Sequence, residues 1–133
     1  MLVFSVEDQI RFHHHPEWGA VRAEWLSYGP NRGQRLALLR GAAFCREHPE
    51  VTAWLIDLRH TRGAMVRHDP DWLARVFDPA LARSNVRRFI NILPASLAAP
   101  DEATEWEVCG GGGFRMADAG SLEQAARLLS QAA

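Results

Sequence analysis

VTAWLIDL, at residues 51–58, carries the strongest indication of the fold in this sequence. Its residues are apolar almost without interruption, and most of them are β-branched, aromatic or aliphatic. A strand carries such a run when helices cover both of its faces, whereas a strand with one wet face alternates between apolar and polar residues. The stretch therefore predicts a central strand in a sheet that has helices packed on it.

Helical patterns lie on both sides of this strand. Before it, Asn31 is placed to cap a helix predicted over Arg32–Glu47. After it, Asp69-Pro70-Asp71 combines a capping residue, a proline at the first helical position and an acid in the first turn. Ser121 and Gln124 have the capping-box spacing of a last helix. The apolar stripe of the first helix is predicted from helical spacing to contain Leu36, Leu39 and Ala43, with Leu38, Ala42 and Cys45 beside them.

Four other segments have strand patterns, at residues 10–14, 20–27, 86–93 and 114–117. Turn residues at 15–19 predict a β-hairpin between the first two. Apolar and polar side chains alternate in the second, with Val21, Ala23 and Trp25 on one face and Arg22, Glu24 and Leu26 on the other. The order β-β-α-β-α-β-β-α predicts one α/β domain over residues 1–133, with a mixed sheet of about five strands and helices packed on it.

The composition fits a single folded domain and excludes several kinds of chemistry. With 133 residues, 47% of them hydrophobic, the chain is long enough to bury a core. Its 15 basic residues are all arginine, so neither a Schiff-base lysine nor the lysine of a phosphate-binding P-loop is present. A net charge of −1 gives no electrostatic case for binding nucleic acid.

The sequence also bears on location and assembly. No apolar run is long enough to cross a membrane, and the start, MLVFSVEDQIRF, lacks the pattern of a signal peptide. We therefore expect a cytoplasmic protein of bacterial type without membrane insertion, in which Cys45 and Cys109 are free thiols. The chain is rich in Trp and Phe for its length, and single domains of this size often form C₂ dimers, so a homodimer is expected.

Taken in order, several short motifs resemble those of a known family. The motifs are Trp54-Leu55-Ile56-Asp57-Leu58-Arg59, Asp69-Pro70-Asp71-Trp72, Ile92-Leu93-Pro94, Phe114-Arg115-Met116 and the Ala-rich segment 122–129. Together they resemble the small bacterial single-domain proteins of the STAS type, related to the anti-sigma-factor antagonist (SpoIIAA-like) fold. The resemblance implies that fold and a regulatory or scaffold role. Phosphorylated antagonists carry a serine at the start of the helix after the central strand, and residues 60–69 contain none, so a phosphorylation switch is not expected.

The carboxyl end of the central strand is the best candidate for a binding site. Asp57, Arg59, His60 and Arg62 supply a carboxylate, two guanidinium groups and an imidazole where ligands of open α/β sheets bind. Arg59 and Arg62 could hold an anion through paired hydrogen bonds. Trp72, in the first turn of the next helix, could form the floor of a pocket at this edge. The alternative is structural, because Asp57 and Arg59 could simply tie down the loop.

His13 and His15 suggest a second kind of site. Side chains two residues apart in a strand point to the same face, so these imidazoles could share a metal ion, with His48 or Glu17 as a further ligand. The alternative is a pair of polar residues that enter a hairpin turn. An enzyme is the less favoured class, because the sequence has no Gly-x-Ser-x-Gly elbow and no serine or cysteine close to Asp57 and His60.

The glycine run at 110–113 does not have the setting of a phosphate loop, because a strand rather than a helix follows it. We interpret it as a permissive connection within a long loop at 94–113. The sequence thus predicts a non-catalytic cytoplasmic domain, without a cofactor, that binds a partner protein or a small ligand in a regulatory capacity. The competing hypothesis is a metal-binding protein or enzyme that uses the strand of His13 and His15.

Overall fold

The structure is a computed structural model, and it describes residues 1–27, 31–61, 70–94, 106–107 and 113–130. Within these residues the sheet has seven strands, in the order β1-β2-β3-β4-β5-β7-β6. The strands are β1 (Leu2–Val6), β2 (Ile10–His15), β3 (Ala20–Trp25), β4 (Ala53–Asp57), β5 (Arg88–Ile92), β6 (Trp106–Glu107) and β7 (Arg115–Ala119). The helices are α1 (Arg32–Glu47), α2 (Pro70–Trp72), α3 (Asp78–Ala82) and α4 (Leu122–Ser130).

The sheet is mixed, and its direction changes at β3. β1, β2 and β3 pair antiparallel, whereas β3, β4, β5 and β7 pair parallel, and β6 returns antiparallel to β7. β4 is the fourth of the seven strands, which confirms that VTAWLIDL forms a central strand. The α/β class and the mixed sheet with helices packed on it are confirmed as well.

The prediction of about five strands is too low. The sheet has six strands of five or six residues and the two-residue strand β6. β1 was missed because it is an edge strand that fully buries one side chain, Phe4, so its apolar pattern is weak. β1 and β2 form a hairpin that the sequence did not predict, and α1 packs against it. With β1 included, the chain begins β-β-β-α.

One face of the sheet is covered by α1 and α3. Trp54 of β4 is fully buried there, with its ring centroid 5.3 Å from Phe12 of β2 and 5.3 Å from Phe77. Gly41 lets α1 approach closely, since a Cβ at that position would lie 2.7 Å from Trp54 and 2.8 Å from Phe12. These contacts place the larger part of the core between α1 and β1 to β4.

The other face divides into an apolar half and a polar half. α4 packs against β5, β7 and the 3-10 turn at Pro16–Trp18. The core beneath it contains Leu55, Ile90 and Ala117. Over β2 and β3 the same face carries charged and imidazole side chains, because these strands alternate apolar residues toward α1 with polar residues away from it.

Local sequence explains where α1 begins, but the centre of the predicted apolar stripe is displaced. Asn31 caps the helix in a full capping box with Gln34, and both of their hydrogen bonds measure 2.9 Å. Leu36 is 61% exposed. The buried residues of α1 include Leu38, Ala42 and Cys45, which were predicted beside the stripe, and also Gln34, Ala37 and Gly41, which were not. Gly41 marks the line of closest approach to the sheet, and a search for large apolar residues passes over a glycine.

Two irregular turns connect the elements described above. The predicted hairpin between β2 and β3 is present, and it turns through Pro16–Trp18 and Gly19, which adopts a left-handed φ of 60°. α2 continues through a π-helical turn at Leu73–Phe77 into α3, where Pro79 lies in the first turn. Among the described helices, none has the length and apolar character needed to span a membrane.

Candidate functional site

Six side chains from three neighbouring strands form the polar half of the sheet, here called the polar face. Strand register brings them together, because Arg11 lies opposite Glu24, His13 opposite Arg22, and Glu24 opposite Asp57. The set is Arg11, His13, His15, Arg22, Glu24 and Asp57. Two carboxylates therefore stand side by side on β3 and β4. Arg11, His13 and His60 surround Glu24, and Arg22 and Arg59 surround Asp57.

Asp57 is the more deeply buried carboxylate, with no exposed side-chain surface. Arg22 Nη1 donates to its Oδ2 at 2.9 Å, and Arg59 donates through Nε to Oδ1 at 2.9 Å and through Nη2 to Oδ2 at 2.8 Å. The backbone N–H of Arg59 adds a bond of 3.2 Å. Burial by itself raises the pKa of Asp57, but the hydrogen bonds from Arg59 and Arg22 outweigh it and hold that pKa below its usual value.

Glu24 forms the second centre of the polar face. Its Oε1 contacts Arg11 Nε at 3.2 Å and His13 Nε2 at 3.3 Å. Its Oε2 lies 2.8 Å from His60 Nδ1. Burial opposes ionisation here too, but the hydrogen bonds from His60 and His13 and the nearby arginines lower the pKa of Glu24. Both central carboxylates are therefore ionised at neutral pH.

His13 and His15 lie on the same face, with ring centroids 6.4 Å apart, but both rings are already engaged. His15 Nε2 accepts from Arg22 Nε at 3.2 Å, and its Nδ1 lies 3.3 Å from Glu17 Oε1. His13 bonds Glu24 as described above. Burial, together with the positive charge of Arg22, lowers the pKa of both histidines. These contacts give both rings a structural part in the polar face.

Glu17 and His48, the further ligands expected for a metal at His13 and His15, lie on different faces of the sheet. Glu17 reaches His15, as the expectation requires. His48 is on the helix-covered face, where its ring stacks on Phe44 at 3.9 Å and meets His14 at 5.7 Å. Since His13 and His15 point away from that face, His48 is too far to join them.

A cleft opens beside the polar face at the carboxyl ends of β3 and β4. Its volume is about 820 Å³, which is within the usual range for small-molecule sites. It is lined by Asp8, Arg11, Leu26, Ser27, Arg59, His60 and Thr61. The location follows the rule that ligands of open α/β sheets bind outside the carboxyl ends of parallel strands, because β3 and β4 pair in parallel.

The cleft presents unused hydrogen-bond donors. Arg11 is 48% exposed and contacts Glu24 through Nε, so both of its Nη groups make no bond within the described part of the chain. Arg59 uses Nε and Nη2 on Asp57, which leaves Nη1 without a partner among the same residues. The Ser27 hydroxyl accepts from Gln34 Nε2 at 3.1 Å and can still donate.

The five residues proposed from sequence separate into three groups. Asp57, Arg59 and His60 are brought together, the first two directly and His60 through Glu24 on the next strand. Arg62 lies outside the described residues. Trp72 packs against the core on the opposite face, where the Arg35 guanidinium carbon lies 5.3 Å from its ring centroid, so it does not face the polar cluster.

Sequence reasoning passed over Arg11, Arg22 and Glu24, although they connect the site. The alternation in 20–27 had already placed Arg22 and Glu24 on one face. Their role depends on which strand lies next to β3, and that information is in the pairing rather than in either segment. Parallel pairing of β3 with β4, which sets Glu24 beside Asp57, is the missing signal.

Metal binding on the polar face and a reactive thiol at Cys45 are both disfavoured by the neighbouring groups. Glu24, Asp57 and His60 offer ligand atoms within 4.8 Å of one another, which suits a metal ion geometrically, but arginine side chains already contact both carboxylates. Burial raises the pKa of the Cys45 thiol to about 12, so it is not a nucleophile near neutral pH. Cys109 and glycines 110–112 lie outside the described residues, as does most of the predicted loop at 94–113.

Comparison of this chain with protein-family models, with curated proteins and with solved structures finds no match to any of them.

Proposed function

We propose that this chain is a non-catalytic binding domain whose cleft takes a small ligand with an anionic group, a carboxylate or a phosphate. The observation that carries the proposal is the pair of arginines on the walls of the cleft, with guanidinium N–H groups left over after their internal ion pairs are made. Guanidinium groups bind such anions through two parallel hydrogen bonds. Arg11 and Arg59 are therefore the ligand-binding residues.

The internal ion pairs support the same proposal because they hold the arginines in place before a ligand arrives. Arg59 is clamped to buried Asp57 by two side-chain hydrogen bonds, and Arg11 is fixed at Nε by Glu24. An immobilised guanidinium loses little conformational freedom when it binds, so more of the interaction energy remains as affinity. Asp57 and Glu24 then position the binding groups and do not touch the ligand.

The wider role is proposed from the resemblance noted above. The motifs around Trp54 to Arg59 and at the later strands resemble STAS-type proteins, and on that basis we propose a regulatory function in the bacterial cytoplasm, with a homodimer as the working assembly. In this scheme the ligand is the signal that the domain senses. A partner protein would read the occupied cleft.

Chemical-shift mapping by NMR tests the proposal. Acetate, succinate, inorganic phosphate and glycerol phosphate are titrated into labelled protein, with glycerol as the uncharged control. The anions should shift the amides of Ser27, Arg59, His60 and Thr61 in a saturable way, while glycerol should not. Equal responses to glycerol and to the anions, or shifts confined to other surfaces, would contradict an anion-binding cleft.

A different titration tests the competing hypothesis, which is a metal protein or enzyme built on His13 and His15. Zn²⁺ is added to protein without a histidine tag, and the imidazole resonances of the variants His13→Gln and His15→Gln are compared with those of the wild type. Tight binding of one metal ion that either variant abolishes would favour the competing hypothesis. The engaged state of both rings predicts weak binding that neither variant changes.

A further inference from the structure

The tautomer of His60 is fixed by its neighbour. Its Nδ1 lies 2.8 Å from Glu24 Oε2, and the carboxylate of Glu24 is kept ionised by Arg11 and His13. An ionised carboxylate only accepts hydrogen bonds, so Nδ1 must carry the hydrogen. In the neutral ring Nε2 is then left as a bare acceptor.

This acceptor belongs to the wall of the cleft. His60 is 56% exposed, it lines the cleft together with Arg11 and Arg59, and its Nε2 has no hydrogen-bond partner within the described part of the chain. An anion seated between the arginines therefore meets N–H donors on one side and a lone pair on the other. A fully ionised oxyanion would place its own lone pairs against Nε2, which is unfavourable.

We propose that the ligand of this cleft is a phosphate that still carries a proton, either inorganic phosphate or a singly ionised monoester, and that His60 accepts a hydrogen bond from its P–O–H group. This inference rests on the proposed function and adds the class of anion to it. Arg11 and Arg59 recognise the negative charge, while His60 recognises the hydroxyl. Sulfate, which has similar size and charge but no proton at neutral pH, is rejected.

The test compares inorganic phosphate with sulfate by calorimetric titration at pH 7.5 and constant ionic strength. Inorganic phosphate keeps at least one hydroxyl at that pH, so the wild type should bind it at least about tenfold more tightly than sulfate. The variant His60→Phe should bind both anions alike, because it removes the acceptor and keeps both arginines. The matched control His48→Phe changes a histidine on the opposite face and should keep the preference.

The variant Glu24→Gln tests whether Glu24 sets the tautomer of His60. A glutamine oxygen facing Nδ1 still leaves Nε2 bare, but the amide group can instead donate to Nδ1 and move the hydrogen to Nε2. Selectivity for phosphate should therefore fall while binding of sulfate persists. A thermal melt on the same sample shows whether the variant is folded, and if it is not, His60→Phe alone decides the question.

The outcomes separate the two proposals. Equal affinity of the wild type for phosphate and sulfate would overturn the present inference and leave an anion-binding cleft intact. Absence of binding by every carboxylate and phosphate tested would overturn the proposed function itself. Vesicles of phosphatidylcholine with phosphatidic acid serve as a third arm, and binding to these vesicles without binding of inorganic phosphate would overturn the assignment of a small soluble ligand.

Discussion

At the scale of single residues, the polar face depends on Asp57. This carboxylate has no exposed surface and forms ion pairs with two guanidinium groups, those of Arg22 and Arg59, which are themselves 13% and 29% exposed. A buried charge that loses its partner is far more costly than a surface charge, because the low-polarity surroundings cannot replace the lost interaction. Replacing one oxygen of Asp57 therefore affects the whole hydrogen-bonded chain that runs to His15 and Glu17.

We expect Asp57→Asn to lower the free energy of unfolding by about 3 kcal/mol, because it leaves two partly buried arginines facing a neutral amide. Urea denaturation at pH 7 measures the change. Asp71→Asn is the matched control, since the ion pair of Asp71 with Arg75 is largely exposed and its loss should be too small to measure. A loss as small for Asp57→Asn as for the control would contradict the central place given to Asp57.

The histidines of the polar face predict how stability changes with pH. The pKa values of His13 and His15 are lowered in the folded state, so the unfolded chain takes up protons first as pH falls. Their contribution is present above about pH 6.5 and is lost as pH falls from there toward the folded pKa. Glu24 and Asp57, whose pKa values are also lowered, add a second loss below about pH 4.

Denaturation curves recorded from pH 7.5 to pH 3 should therefore show stability falling in two steps. The double variant His13→Gln, His15→Gln should flatten the upper step, which begins as pH falls below about 6.5, and leave the lower step in place. An upper step of unchanged size in the double variant would show that other groups cause it.

At the scale of elements, α1 shows how far periodicity predicts a helix. Asn31 and Gln34 fixed its start, and the predicted bounds are those observed. The centre of the predicted stripe was displaced because several apolar residues are spread around the helix, and their spacing is compatible with more than one inward face. The choice between those faces is made by Gly41, which allows contact with Trp54 and Phe12, and this tertiary contact is not visible in the helix sequence alone.

A matched pair of substitutions tests the orientation of α1. Leu38 is 4% exposed and Leu36 is 61% exposed, although both are leucines in the same helix. Leu38→Ala should cost about 2–5 kcal/mol of stability through lost burial and a residual cavity. Leu36→Ala should cost less than about 0.5 kcal/mol. The reverse ranking in chemical denaturation would contradict this orientation of α1.

At the scale of the whole molecule, the central strand was predictable and the edges of the sheet were not. A continuous apolar run such as VTAWLIDL reports burial on both faces, so β4 could be recognised and placed. β1 and β6 pair with one neighbour each, and their sequences carry little trace of that pairing. Asp57, Arg59 and His60 were predictable because they lie at the end of β4 or just beyond it, while the parts played by Arg11, Arg22 and Glu24 depend on strand order.

The position of each strand predicts its hydrogen exchange. The amides of β4 should be the most protected in the molecule, because β3 and β5 pair with it on both sides and core side chains cover both faces. The amides of β1 should exchange faster. Native-state exchange followed by NMR measures both, and a β4 that exchanges as fast as β1 would contradict the sheet order.

The proposed homodimer has a structural candidate in β1. Within the described chain β1 pairs only with β2, and the strand contains no charge and no proline, which are the usual protections of an exposed edge. If two copies join through this edge, light scattering should give twice 14.9 kDa for the wild type. Leu2→Lys, which adds a charge at an exposed position, should return the mass of one chain. A wild type that is monomeric at high concentration would end this proposal.

Binding of anions in the cleft is best tested by the affinity of Arg11→Gln for phosphate and for succinate, with a thermal melt on the same sample. Arg11 is half exposed and contributes to the cleft, whereas the control Arg40→Gln removes an arginine that lies over Phe4 on the other face. We expect Arg11→Gln to melt like the wild type and to bind the preferred anion about tenfold more weakly, while Arg40→Gln binds normally. Equal affinities in the wild type and both variants would contradict the claim that this cleft binds anions.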